Sequence, residues 1–118
     1  PAVPDHKLTY LVAETYWGEL LRHGVKIYKY TPGFLHAKSV MVDREVALVG
    51  STNMDYRTFQ LHYECAVLMY HMPVVEELLE DMDDTMAKSA RYTLEEWNHR
   101  PWIRRTFGSL LRLGAIWL

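Results

Sequence analysis

The sequence predicts an α/β domain in which a mixed β-sheet is flanked by helices and followed by a C-terminal helical tail. Three observations predict it. Leu8, Leu11, Val12, Tyr16 and Leu20 recur at helical spacing. Four short runs of β-branched, aliphatic or aromatic residues follow, at 25–30, 39–42, 46–49 and 65–70. A second amphipathic stretch then runs from 73 to about 90.

Composition sets the frame. With 118 residues and 49% hydrophobic content, the chain fits a single ordinary core. Within it, residues 1–92 read as the main body and 93–118 as an amphipathic helical tail. The 13% aromatic and 24% charged shares rule out a disordered linker. Thirteen basic residues against fifteen acidic ones give a net charge of −2, which argues against a nucleic-acid partner. The one cysteine, Cys65, excludes an internal disulfide framework and supplies no metal cluster. No apolar run reaches the length of a transmembrane helix. The opening Pro1-Ala2-Val3-Pro4, without Met, reads as a piece of a longer polypeptide or a processed product.

In chain order, residues 1–7 form a turn-rich lead. The first helix ends near His23, where Gly24 suits a C-terminal position that requires positive φ. Residues 25–30 form a strand, broken by Thr31-Pro32-Gly33. Only Asp43-Arg44-Glu45 separates the next two runs, so they form an antiparallel hairpin. Residues 65–70 read as a buried strand, with Cys65 as a small buried hydrophobe. From 73 to about 90, Val74, Val75, Leu78, Leu79, Met82 and Met86 make one helix face. Glu76, Glu77, Glu80, Asp81, Asp83 and Asp84 make a solvated opposite face. Thr93-Leu94-Glu95-Glu96 fits a capping box. After Trp97 no acidic residue occurs, while Arg100, Arg104, Arg105 and Arg112 accompany Trp102, Ile103, Phe107, Leu110, Leu111, Ile116 and Trp117. Such a stretch either lies on a membrane surface or packs against other protein.

The chemistry concentrates in the hairpin. His36 and Lys38 are two positions apart on an extended segment, so both point to one face. Antiparallel register returns the chain to His36 near 51–53. His36, Lys38, Ser51 and Asn53 therefore cluster at the open end of the hairpin. A helical turn starting at Gly50-Ser51-Thr52-Asn53 would add backbone N–H groups for an anion. Lys38 brings positive charge, Asn53 amide donors, and His36 an imidazole that attacks or transfers protons near neutral pH. Together they read as a phosphate site. Asp43 lies at the turn, about 20 Å from His36 along a straight strand, and is expected to organise that turn. Glu64 opens the next strand, where a carboxylate could hold the imidazole by its second nitrogen. Asp55 and Arg57 are expected to pair and fix the following loop. His6, His23, His71 and His99 are expected at the surface.

These residues carry a resemblance. His36-Ala37-Lys38, Asp43 after four intervening residues, and Gly50-Ser51-Thr52-Asn53 are similar to the HxKxxxxDxxxxxxGSxN signature of the phospholipase D superfamily, at every fixed position and spacing. The segments 24–28, 32–36, 53–59 and 93–101 resemble bacterial cardiolipin synthases, and the likeness covers nearly the whole chain as the C-terminal part of such an enzyme. The resemblance implies a phospholipase D-like half with one of two facing motifs. One histidine of the pair forms a phosphohistidine and the other protonates the leaving alcohol; which role falls to His36 stays open. It implies phosphatidylglycerol as donor and acceptor, glycerol as leaving group, no metal or organic cofactor, and action at the bacterial cell membrane with the catalytic part cytoplasmic. By motif position His36, Lys38 and Asp43 match catalytic residues, His36, Lys38, Ser51 and Asn53 phosphate-binding ones, and Glu64 the residue that supports the histidine. The sequence departs from the family in Leu61-His62-Tyr63-Glu64, where Asn is common in place of His62. The second motif would come from a missing N-terminal part or a homodimer. Two other functions compete: a phosphodiesterase or endonuclease acting as a dimer, and an inactive half-site that only binds.

Overall fold

The computed structural model describes residues 1–114. Its elements run in the order α1 (Lys7–Arg22), β1 (Ile27–Tyr30), β2 (Ser39–Val42), β3 (Val46–Gly50), α2 (Tyr56–Gln60), β4 (Ala66–Tyr70), α3 (Pro73–Ala87), β5 (Ser89–Tyr92), α4 (Leu94–Asn98) and α5 (Trp102–Leu111). A 3-10 turn follows at Arg112–Gly114. The α/β class holds. Its strands divide into two small antiparallel sheets, β1–β5 and β2–β3–β4. The chain likewise forms two compact units, residues 1–34 with 89–118, and residues 35–88. Ile116 and Trp117 of the expected apolar tail lie outside the described residues.

In the first unit, α1 ends at His23, and Gly24 takes a positive φ of 86°, as the glycine at that position predicts. α1 buries Val12, and on another side Glu14 and Gly18. Gly18 lets α4 come close: a Cβ there would overlap the Trp97 ring. The Trp97 Nε1 then donates to the Glu14 carbonyl at 2.9 Å. The expected capping box at Thr93 and Glu96 forms, with both reciprocal bonds present. Those bonds from Thr93 hold the Glu96 carboxyl below its usual range. Trp17 stands edge-on to Tyr10 and Tyr92, each at 5.4 Å between centroids. The Lys29 ammonium lies 3.7 Å from the Tyr92 ring centre. Burial pushes the Lys29 pKa down and the Tyr10 and Tyr92 phenols up.

Two sequence expectations change here. The helix from 73 ends at Ala87, not near 90, and Ser89–Tyr92 is a strand. β5 pairs antiparallel with β1, Ile27 opposite Tyr92 and Tyr30 opposite Ser89. Four residues carry too little periodicity to announce a strand, and pairing with a distant partner decides it. The tail arginines also find an acid outside their own stretch. Glu14 Oε2 lies 3.7 Å from Arg100 and 3.6 Å from Arg104. α5 packs on α1 through Gly108, where a Cβ would sit 3.1 Å from Thr15 and 3.2 Å from the Leu11 carbonyl.

In the second unit, β2 and β3 form the expected hairpin, Ser39 opposite Val49 and Val42 opposite Val46. Asp43 and Arg44 turn it with positive φ of 51° and 61°. Aspartate is among the few non-glycine residues that tolerate that region. β4 pairs antiparallel with β3. Pro73 stands at the first turn of α3, where its missing N–H costs nothing. α3 packs on β3, burying Val75 and the fully enclosed Ala47. The other sheet face carries Val40, Leu68 and Tyr70, all exposed. That corrects the expectation for 65–70: β4 is mostly exposed, and so is Cys65. β4 is an edge strand paired only with β3, and within this unit nothing described covers that face.

Candidate active site

The hairpin register builds the site. Gly50 N donates to Lys38 O at 3.1 Å, which continues the β2–β3 ladder one step past Ser39 and Val49. The chain leading into β2 is thereby aligned against the chain leaving β3. His36 and Lys38 share a face, and their side chains meet: Lys38 Nζ lies 2.9 Å from His36 Nε2 and donates to the His36 carbonyl at 3.0 Å. An ammonium has only donors, so Nε2 is the acceptor and carries the lone pair. An imidazole beside an ammonium is a pairing suited to an anionic group. His36 is exposed and Lys38 half-buried.

The Gly-Ser pair works on the β4 side. A Cβ at Gly50 would overlap the Cys65 carbonyl oxygen and Ala66, so only glycine permits this approach of β3 to β4. Ser51 N donates to Cys65 O at 3.0 Å, and Cys65 N donates back to Ser51 Oγ at 3.1 Å. The Ser51 hydroxyl also donates to the Glu64 carboxylate in a short hydrogen bond. Glu64 further faces His62 Nδ1 at 3.7 Å. Sequence reasoning read Gly50 only as turn composition; the signal available was a glycine closing a strand, which marks a close backbone approach.

Further expectations meet the structure here. No helix begins at 50–53. The chain runs on to Asp55, which caps the five-residue α2 by accepting from Thr58 N at 2.7 Å. Asp55 is thus committed to that cap, and Arg57 reaches His62 Nε2 at 3.3 Å instead of Asp55. Short polar caps compete for the same carboxylate and win when the helix N–H is adjacent. Asn53 lies exposed two residues past Ser51, and Asp43 sits at the hairpin turn, at the opposite end of β2 from His36. His6, His23, His71 and His99 are exposed, as expected.

A histidine and lysine side by side at the mouth of a hairpin, with a Gly-Ser clamp on the returning strand, are the arrangement of a phospholipase D-like domain. The family model described as "Cardiolipin synthase, PLD-like domain" matches residues 2–86. The chain belongs to this family. It is 38% identical over 105 residues to the major cardiolipin synthase ClsA of Bacillus subtilis (strain 168), covering 88% of this chain and 22% of that protein. It is 36% identical over 113 residues to a cardiolipin synthase of Halalkalibacterium halodurans, covering 96% of this chain and 22% of the relative. A cardiolipin synthase of Clostridium perfringens is 37% identical over 113 residues, 96% of this chain and 24% of its own length. The chain thus spans less than a quarter of these relatives. No solved structure matches it. Among the described residues no helix is long and apolar enough to cross a membrane.

Proposed function

We propose that this chain supplies one histidine–lysine motif to the shared active site of a cardiolipin synthase. The observation that carries the reading is the contact of Lys38 Nζ with His36 Nε2 at 2.9 Å, inside a sequence that belongs to the cardiolipin synthase PLD-like family. The reaction is phosphatidyl transfer between two phosphatidylglycerol molecules. In the first step a histidine nitrogen attacks phosphorus, the bond from phosphorus to the glycerol oxygen breaks, and a second histidine protonates the leaving glycerol. In the second step that histidine takes the proton from a hydroxyl of another phosphatidylglycerol. The freed oxygen attacks phosphorus and releases the first imidazole. His36 is one of the two histidines. Lys38 and Asn53 offset charge on the phosphoryl oxygens. Ser51 joins them at the phosphate, Glu64 orients the histidine, and Asp43 shapes the turn. The scheme calls for no cofactor, and it places the catalytic part at the cytoplasmic face of a bacterial membrane. Residues 1–92 carry the catalytic half, and 93–118 form the tail.

A single imidazole cannot occupy both sides of phosphorus during in-line displacement. The second motif therefore comes from elsewhere in the intact polypeptide or from a second copy. The isolated 118-residue chain is expected to be inactive as a monomer, with weak phosphodiesterase activity appearing only where it dimerises. Activity and mass measured on one sample across a concentration series test this. Robust turnover from a species that stays monomeric sinks the half-site reading.

The motif residues also rank. In the intact enzyme Lys38→Ala is expected to lower cardiolipin formation about a hundredfold or more, since it removes a charge beside the reacting centre. Asp43→Asn is expected to lower the melting temperature and leave clearly more activity than Lys38→Ala. The reverse order of residual activities would mean that Asp43 acts in the site.

A further inference from the structure

We propose that the outward face of α5 docks on an anionic lipid surface. One side of α5 is already spent: Gly108 seats against α1, Arg104 reaches Glu14, and Arg112 covers the Tyr16 ring at 4.0 Å. At about 100° per residue, Trp102 and Leu110 fall on the remaining side within an arc of about 80°, with Leu113 beside them in the 3-10 turn, while Ile103 and Phe107 border a cleft lined by α1. They are exposed, at 71% for Trp102, 64% for Leu110 and 87% for Leu113. A helix that covers its polar side with protein and leaves a tryptophan and several aliphatics to water matches an interfacial helix.

Charge names the occupant. The sequence from Trp97 onward holds four arginines and no acidic residue. Arg100 and Arg104 are drawn to Glu14. Arg105 makes no ion pair among the described residues and borders the same shallow groove as Trp102, Leu110 and Leu113. A free guanidinium at the rim of an apolar patch pairs with phosphate at headgroup depth while the apolar side chains enter the acyl boundary. Another protein surface would need acids for Arg105 and a matching apolar face; a membrane of anionic phospholipid supplies both at once. The inference rests on a lipid substrate for the site, and it adds where the lipid surface is met.

The test is binding of the 118-residue chain to vesicles of equal parts phosphatidylglycerol and phosphatidylcholine, against phosphatidylcholine alone. Sedimentation and tryptophan fluorescence are the readouts. The wild-type chain is expected to prefer the anionic vesicles. Leu110→Ser with Leu113→Ser is expected to weaken binding about tenfold or more. Arg105→Gln is expected to weaken it about fivefold, with a smaller dependence on salt. Both variants alter exposed positions, and circular dichroism shows that the helices persist. Equal binding to the two vesicle types overturns the proposal, as does binding unchanged in both variants. So does a wild-type dimer that the Leu110/Leu113 variant dissolves, because the face then meets a second copy. Binding is read apart from turnover. Failed binding with His36-dependent activity intact overturns this inference alone, and activity independent of His36 overturns the catalytic reading alone.

Discussion

Replacing His36 with asparagine in the intact enzyme is expected to lower cardiolipin formation about a thousandfold or more while the fold persists. Asparagine keeps a hydrogen-bonding side chain beside Lys38 but has no nitrogen that attacks phosphorus or carries a proton near neutral pH. His36 is exposed, so little packing is lost. The melting temperature should therefore stay close to wild type, which separates a chemical loss from an unfolding loss. Glycerol release and phosphohistidine trapping are informative in the same variant. If a labelled phosphoenzyme still accumulates, His36 is the proton donor and the partner motif holds the nucleophile. If none forms, the first step requires His36, as the nucleophile or as the acid that protonates the leaving glycerol. Near-native cardiolipin formation would remove His36 from the mechanism altogether.

The second large effect is on stability. Glu14→Ala is expected to cost about 3 kcal/mol and to lower the melting temperature by about 10 °C. The Glu14 side chain is 4% exposed and that of Arg100 9%. Removing the carboxylate leaves the Arg100 guanidinium enclosed without its counter-charge. Arg100 Nη1 keeps its bond to the Glu14 carbonyl at 3.2 Å, which limits the loss. Arg104 is half exposed and falls back on water. Pairing Glu14→Leu with Arg100→Leu should recover much of the cost, because no charge is then left buried. A Glu14→Ala chain that melts like wild type would show that the Trp97 and Gly108 contacts alone hold α1, α4 and α5 together. Turnover in the intact enzyme should follow folding in this series.

The motif was open to reading because its chemistry is local in sequence. His36 and Lys38 share a face by strand alternation, and a turn at 43–45 returns the chain to 51–53 by register alone. The hairpin, α1, α3, the Thr93 capping box and the glycine after α1 follow from periodicity and short-range sterics in the same way. Those forces act between residues a few positions apart, so they leave marks in the order of amino acids. The acid-free, apolar tail was visible for the same reason.

Tertiary structure decided what depends on distant partners. β5 exists because 89–92 meets β1, some sixty residues earlier. Two sheets form where one was expected, and β4 stays an exposed edge, because side-by-side pairing between non-neighbouring strands is a choice among competitors of similar local propensity. Glu14 looks like one more polar residue on a helix until Arg100, Arg104 and Trp97 arrive around it. The Ser51 hydroxyl has no partner legible in the sequence; in the fold it donates to Glu64 and accepts from the Cys65 N–H. The sequence by itself determined the family, the hairpin and the histidine–lysine pair, through spacing and steric preference. Only the folded chain decided which carboxylate meets which donor, because buried polar groups take their partners from whatever the packing brings within hydrogen-bond reach.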